Sequence, residues 1–315
     1  MSLNKEYANQ MAWYDRGWAL YHPVKSSAIR IGDFGYFNEK GYWNRMGNIK
    51  DAASVARFNL KAFDVSLLNE APPDHTLEWG PLHAKHTNGQ RINAGGQALG
   101  TSTGIPVGAS FQVEYTSTTD FGAVLACLAP IRREAYYFSD PFKSWAQANI
   151  AALASSPIRN DLEQHGFFIV TQTHATKKYT LTAWNERNRS ACIGFSVDVQ
   201  GDAKLNAGSR WFEGRSVNGW EAGEGQGTLE DLRVVFASGV FCRFKKNFWS
   251  SEVQMQTSTR GEVKSKPNST QKQDPTKPTS LKDADEDEQV LIRFESQWEG
   301  KLPERPPWEK ENEDC

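Results

Sequence analysis

The chain lacks most of the patterns by which enzymes and membrane-spanning proteins are recognised from sequence. Its 315 residues contain no phosphate-binding loop and no His-Glu-x-x-His zinc motif. No run approaches the roughly 18 consecutive apolar residues of a transmembrane helix, and no apolar signal region follows the first residues. We therefore expect a cytoplasmic protein that is not an enzyme and needs no cofactor.

Cysteine and histidine are scarce. The cysteines lie far apart and show no paired spacing: Cys127, Cys192, Cys242 and Cys315. We expect reduced residues rather than a disulfide framework. The histidines cluster only at His75, His83 and His86, a spacing that could serve zinc if the three met on one face. Because a second pair of ligands is missing, we interpret them as loop residues and predict no metal site.

The charges divide the chain near residue 250. Residues 251–315 contain 10 basic and 15 acidic residues, which leaves 26 basic and 23 acidic residues for residues 1–250. This division predicts a folded body over 1–250, a flexible linker over 251–282 and a short, disordered acidic segment over 283–315. Because the body is barely basic and its aromatic residues are spread along it, we expect no nucleic acid partner.

Strand patterns dominate the body, and they predict an α+β fold that is mostly a twisted antiparallel sheet with flanking helices. Residues 30–43 are typical of two short strands around an Asn-Glu-Lys-Gly turn. The run from 121 to 127 is almost wholly apolar, as in a strand buried on both faces. A helical pattern covers 138–164, and residues 51–58 are either a short helix capped by Asp51 or the start of a strand.

Two further regions carry weaker patterns. Residues 74–104 are polar and rich in glycine, which indicates a long mobile connection. After Gly166 the period returns to two, and the residues near 179–183 and 193–199 alternate around the charged turn Asn185–Arg189. We expect these two runs to form one long antiparallel hairpin with an apolar and a polar face.

Three basic groups stand beside apolar strands. We identify them as candidate lipid-binding residues: Arg132, Arg133, Lys177, Lys178, Arg187, Arg189, Arg243, Lys245 and Lys246. Basic side chains next to aromatic residues are attracted to an anionic membrane surface. The alternative is that they protect strand edges, a common use of lysine and arginine.

The order of these elements resembles a known family. A strand with the sequence Phe-Phe-Ile-Val-Thr-Gln over 167–172 follows the helical segment, and a charged turn, a glycine-rich stretch and a last strand beginning Leu232-Arg-Val-Val-Phe follow it. Over residues 90–250 this layout is similar to the pore-forming domain of the gasdermins, especially the short fungal gasdermin-like proteins.

The resemblance implies a physical rather than a catalytic mechanism. Such a chain is released by an activating protease or by a related gasdermin-like chain, binds acidic lipids at the plasma membrane and forms a homo-oligomeric β-barrel pore that causes lytic regulated cell death. Regions 76–127 and 167–200 would then rebuild into membrane-spanning hairpins. The candidate inserting residues are Phe111, Val113, Tyr115, Ile193, Phe195, Val197 and Val199.

The acidic segment acquires a role under the same resemblance. A short helix over 283–298 would place its large apolar residues on one face and dock them on the body as an autoinhibitory contact: Val290, Leu291, Phe294 and Trp298. Two other classes of protein remain open. One is a non-catalytic β-rich binding or scaffold module with a disordered tail, and the other is an enzyme whose polar pocket would include the histidine cluster.

Overall fold

The computed structural model describes residues 2–92, 110–186, 189–197, 209–212, 219–226, 228–246 and 253–259. The helices are α1 (Leu3–Met11), α2 (Ala52–Arg57), α3 (Asp140–Ala148), α4 (Ile150–Ala154) and α5 (Arg159–His165). The strands before α3 are β1 (Trp18–Lys25), β2 (Asp33–Phe37), β3 (Trp43–Asn48), β4 (Asp74–Leu77), β5 (Leu82–His83), β6 (Thr87–Ile92), β7 (Ser110–Ser117), β8 (Gly122–Cys127) and β9 (Ile131–Ala135). Those after α5 are β10 (Phe167–Thr176), β11 (Lys178–Trp184), β12 (Ser190–Val197), β13 (Ser209–Phe212), β14 (Glu221–Glu224), β15 (Arg233–Lys246) and β16 (Val253–Thr259).

These strands form three sheets. The large sheet has eight strands, in the order β1-β15-β10-β2-β3, with β16 beside β15, β9 beside β10, and β4 beside β9. The middle sheet has the order β14-β11-β8-β5, and the outer sheet has the order β13-β12-β7-β6. Throughout the described residues, the strand pairs of these sheets are antiparallel. The predicted α+β class with mostly antiparallel sheet is confirmed.

Local sequence explains the first hairpin. Gly41 has φ +83°, a left-handed conformation that glycine adopts without strain, and it ends the turn between β2 and β3. The Asn38 side-chain oxygen accepts bonds from the backbone N–H groups of Lys40 and Tyr42, at 3.1 and 3.0 Å. Residues 51–58, for which helix and strand were both open, form helix α2. Asp51 caps it by accepting a bond from Ala53 N–H at 3.1 Å.

The helices α3 to α5 cover one side of the large sheet. Phe142, Trp145 and Leu153 pack in one apolar cluster with Phe167 and Ile169 of β10. The predicted helical region 138–164 is therefore confirmed, with breaks after 148 and 154. The other face of β10 is buried too, since it carries Phe168 and Val170. The first four residues of β10 are therefore all apolar and do not alternate with polar residues.

The middle sheet lies between the other two. Leu125 and Leu181 pack with Phe236 of the large sheet, whereas Val124 and Ala126 pack with Ile193 of the outer sheet. Each residue of β8 is buried, as the apolar run over 121–127 predicts. The three sheets are therefore stacked layers, and β8 serves two cores at once.

Two sequence predictions about connections are wrong. Residues 74–92, predicted as part of a mobile connection, contain β4, β5 and β6, whose pairing with β9, β8 and β7 orders a segment of low apolar content. The hairpin expected from the runs near 179–183 and 193–199 is not formed, because β11 pairs with β8 and β14 while β12 pairs with β7 and β13. Alternation identifies strands but does not choose their partners.

The boundary predicted at residue 250 falls inside paired structure. Strand β16 lies in the stretch assigned to the linker, and it pairs with β15 from Val240↔Thr259 to Lys246↔Val253. The linker interpretation is thus corrected for residues 253–259, because backbone pairing to an existing edge strand does not require apolar side chains. The acidic segment 283–315 lies outside the described residues.

Candidate functional site

The outer sheet brings the two predicted inserting regions together. Strand β7 pairs antiparallel with β12, so that Val113 lies opposite Ile193 and position 111 lies opposite position 195. Residues more than 75 positions apart in sequence are thereby cross-strand neighbours. Sequence reasoning identified both runs and assigned them to separate hairpins; the structure joins them as the two central strands of one sheet.

In the described part of the outer sheet, one face is apolar and the other is mixed, with Ile92 and Cys192 beside the polar residues. Val113, Tyr115 and Ile193 are 3%, 3% and 7% exposed. Gln112 and Glu114 point to the opposite face, because successive side chains of a strand alternate, and both are half-buried. The side chains of Phe111, Phe195 and Val197 lie outside the described residues, as does Val199 altogether.

A small cluster holds the outer sheet on the middle sheet. Its buried members are Val113, Tyr115, Val124, Ala126, Trp184, Ala191 and Ile193, with Trp220 packed against them. Among the described residues, the corresponding cluster beneath the helices contains 17 buried members, so the described part of the outer sheet contributes the smaller cluster. Gly122 contributes by leaving room for Trp184, whose ring a Cβ at position 122 would meet at 2.1 Å.

The candidate lipid-binding cations of the large sheet lie at two opposite ends. Thr176 pairs with Arg233 at one end of the β10–β15 ladder, and Phe167 pairs with Cys242 at the other. We call the first the Lys177 end, which includes Lys178 and the β9 residue Arg132 opposite Ala175. We call the second the Arg243 end. The nine intervening steps of β10 separate these ends by roughly 30 Å.

The Lys177 end also contains cations that the sequence reasoning missed. Lys25 of β1 lies opposite Arg233. The signal was weak, since a lone lysine at a strand end is typical of ordinary edge protection.

Most of the described candidate cations have polar or acidic partners. Lys178 Nζ lies 3.6 Å from Glu224, Arg189 lies 3.4 Å from Glu186, and Arg132 pairs with Glu134. Arg133 donates to Gln172 Oε1 at 2.9 Å. The partly exposed pairs of Lys178 and Arg189 are each worth only about 0–1 kcal/mol, so a phosphate group can compete for these two cations, whereas Arg132 and Glu134 are only 18% and 29% exposed.

The structure describes the side chains of only some of the remaining candidate cations. Lys177 and Arg243 have exposed side chains. Lys245 and Lys246 belong to β15, but their side chains lie outside the described residues. Arg187 and the tail residues Val290, Leu291, Phe294 and Trp298 also lie outside them.

The histidine cluster is dispersed. His75 lies on β4 of the large sheet, His83 on β5 of the middle sheet, and His86 is exposed between β5 and β6. Over the described ranges, no group of three histidine, cysteine or acidic residues is arranged to hold a metal ion. Three cysteines are free thiols, of which Cys127 and Cys242 are buried and Cys192 is half-buried. Burial raises the pKa of the Cys127 thiol to about 12.

A polar cavity of about 560 Å³ lies beside the connection between β1 and β2. Its charged walls are ion pairs, including Arg30 with Glu230 at 3.6 Å and Lys50 with Glu70. Beneath them Asp33, which is fully buried, accepts from Arg45 at 2.9 Å and from Asn48 at 2.8 Å. These pairs tie the connection to its neighbouring strands.

One motif was overlooked in the sequence. Gly100-Thr-Ser-Thr-Gly104 has the Gly-x-Ser-x-Gly spacing of a nucleophile elbow. The pentapeptide lies outside the described residues. An elbow connects a strand to a helix, whereas the described elements on either side of this segment are the strands β6 and β7.

The comparisons with known proteins find no relative: no protein-family model matches the chain, and no curated protein matches it. Of the helices in the described parts of the chain, none combines the length and the hydropathy required to cross a bilayer.

Proposed function

We propose that this chain is a gasdermin-like pore-forming protein, which binds anionic membranes and inserts strands of its outer sheet. One observation carries the proposal. The outer sheet is antiparallel, its strand β7 alternates apolar and polar side chains, and its central strands β7 and β12 come from the two regions that the resemblance assigns to insertion.

A two-faced sheet suits transfer from protein to lipid. Val113, Tyr115 and Ile193 already lie on one face and pack on the middle sheet. If the outer sheet separates, the same face meets acyl chains, which are as apolar as the protein core, while the opposite face keeps contact with water. Insertion also requires that each backbone N–H and C=O keep a partner, so several copies must close their strand edges in an oligomer.

Separating the outer sheet from the middle sheet costs less free energy, under this proposal, than unfolding the whole body. Its cluster with the middle sheet is small, and the large sheet has its own core beneath helices α3 to α5. Regions that move in function are drawn from the less stable parts of a fold. The large sheet would therefore remain folded while the outer sheet rearranges.

Membrane binding is assigned to the cations at the Lys177 end and the Arg243 end. Each basic residue near an anionic surface contributes about 1 kcal/mol of attraction. The acidic segment 283–315, with four basic and twelve acidic residues, opposes this attraction while it remains attached. Removing this segment makes the net charge of the chain more positive, which favours binding to an anionic membrane.

The test is release of an encapsulated dye from vesicles by the full-length chain and by a chain ending at Thr259. The truncation is placed after β16 because an earlier end would remove a strand that pairs with β15. We expect the truncated chain to release dye from vesicles with anionic lipid, and to release much less from vesicles of neutral lipid. Circular dichroism of both chains verifies that truncation leaves the body folded.

Complete dye retention by the folded, truncated chain on anionic vesicles would contradict the proposal. Binding of a partner protein with no dependence on lipid would instead favour the β-rich binding or scaffold module.

A further inference from the structure

The N-terminal segment is anchored on the middle sheet. Tyr7 and Met11 of helix α1 are fully buried and pack with Leu125 and Leu181 of that sheet. A short 3₁₀ turn, Ala12–Tyr14, follows the helix directly. The anchored helix thereby holds Trp13 and Tyr14 at a defined place on the body.

Both side chains bind the backbone of one residue, His83. The indole N–H of Trp13 donates to the carbonyl oxygen of His83 at 3.0 Å, and the backbone N–H of His83 donates to the hydroxyl oxygen of Tyr14 at 2.9 Å. Ala84 N–H donates to Ala123 O at 2.9 Å, so in the alternating antiparallel pattern the backbone groups of His83 face away from β8. Trp13 and Tyr14 bond to the backbone groups of His83 that do not face β8.

His83 occupies a special place in the chain. It is the last residue of β5 in the middle sheet, and β6 of the outer sheet begins at Thr87. The imidazole centroid also lies 5.9 Å from that of Trp13 and 6.3 Å from that of Tyr115 in the outer sheet. A contact that fixes His83 therefore also fixes the point at which the chain passes from the middle sheet to the outer sheet.

We propose that Trp13 and Tyr14 form a latch on His83 that restrains the outer sheet and must open before β6 and β7 can rearrange. The inference rests on the proposed function, because it assigns to the latch the restraint of the sheet that would insert. It places an inhibitory contact inside the body, separate from any contact that the acidic segment makes.

The latch is tested first by hydrogen exchange on the full chain without vesicles. The variant combines Trp13→Phe with Tyr14→Phe, which removes both hydrogen bonds and keeps an aromatic ring at each position. The matched control is Tyr42→Phe, because Tyr42 is 46% exposed and lies outside the latch. We expect the amides of Ala84 and Thr118, which bond across this junction, to exchange about tenfold faster, the order expected when a buried hydrogen-bond partner is lost.

The amides of β10 and β15 serve as the internal reference and are expected to exchange at the rate of the unsubstituted chain. Equal acceleration of β10 and β15 would show a general loss of stability, and rates matching those of Tyr42→Phe would show that the two bonds restrain nothing. Either result overturns the latch.

The second measurement places the same double substitution in the chain ending at Thr259 and follows dye release from anionic vesicles. We expect release to be several-fold faster than without the substitutions. An unchanged rate, together with locally faster exchange, would overturn the inhibitory role. If the truncated chain without substitutions releases no dye, the proposed function fails by itself, and hydrogen exchange still decides whether the latch exists.

Discussion

The large sheet and the outer sheet are built from similar antiparallel strands, yet their strands are buried differently. Strand β10 begins with four buried apolar residues in succession and packs on both faces. Strand β7 buries Val113 and Tyr115 and directs Gln112 and Glu114 to the other side. The first pattern belongs to a layer inside a protein, and the second to a layer at its boundary.

The two sheets therefore differ in role under the proposed function: the large sheet stabilises the body, and the outer sheet is the layer that inserts. The large sheet, covered by three helices, contributes to the largest apolar cluster of the described residues. The described part of the outer sheet contributes a smaller cluster, and under the proposed function it is the layer that changes its environment. Four predictions test the contrast, in order of decreasing expected effect.

The largest effect is expected from Ile169→Ala in the large sheet. Ile169 is fully buried beneath the helices, so the substitution removes three carbon atoms and leaves a cavity that close packing on both sides cannot fill. We expect the free energy of unfolding to fall by about 4 kcal/mol, near the upper end for such substitutions. Urea denaturation followed by tryptophan fluorescence measures the loss.

The same substitution in the outer sheet, Ile193→Ala, is the matched comparison. Ile193 is 7% exposed and packs on one face only, which gives the surrounding side chains more freedom to close the cavity. We expect a loss of about 2 kcal/mol. Equal losses at the two isoleucines, measured in the same urea titration, would remove the energetic distinction between the sheets.

The third prediction concerns the stability of the protein at acidic pH. It depends on the buried imidazole of His174, which lies in the large sheet. Burial, together with the nearby charges of Arg16 and Arg133, lowers the pKa of His174 to about 3. Its ring packs against Trp79 and Phe236, and its Nδ1 has no hydrogen-bond partner among the described residues. The folded state therefore holds His174 neutral.

Because the folded pKa lies below the unfolded one, the unfolded chain binds the extra proton first. The free energy of unfolding is unaffected by this group above pH of about 6.5, and it falls by about 1.4 kcal/mol per pH unit between about 6.5 and 3. Urea denaturation at several pH values measures this slope. His174→Gln should show a shallower slope over that range, and a slope identical to that of the unsubstituted chain would disprove the assignment.

The smallest effect is expected from neutralising single cations of the large sheet. We expect Lys177→Gln and Arg243→Gln each to weaken binding to anionic vesicles by about 1 kcal/mol, roughly fivefold, and to leave binding to neutral vesicles unchanged. Vesicle co-sedimentation measures both. Arg159→Gln on helix α5, whose side chain pairs with Glu163 at 2.6 Å and is not among the candidate lipid-binding residues, is the control. If one of the two substitutions weakens binding and the other does not, the end that carries the first faces the membrane. If neither substitution weakens binding, both ends are removed from the proposed binding surface.

Several features could be predicted from local sequence because their causes are local. The turn at Gly41, the helical region with Pro141 in its first turn, and the doubly buried run over 121–127 all depend on residues close in the chain. The alternating runs that became β7 and β12 were likewise found from their period of two. Residues 74–92 were misassigned because their order comes from pairing with distant strands rather than from their own composition.

The sequence by itself determined that the alternating and the continuously apolar runs are strands, which faces of the alternating runs are apolar, and where the charge of the chain changes sign. Only the tertiary structure decided that β7 pairs with β12, that β11 belongs to another sheet, and that Trp13 and Tyr14 bind His83. The physical reason is that alternation fixes the direction of each side chain, whereas the choice of partner strand depends on backbone hydrogen bonds that any residue except proline can make.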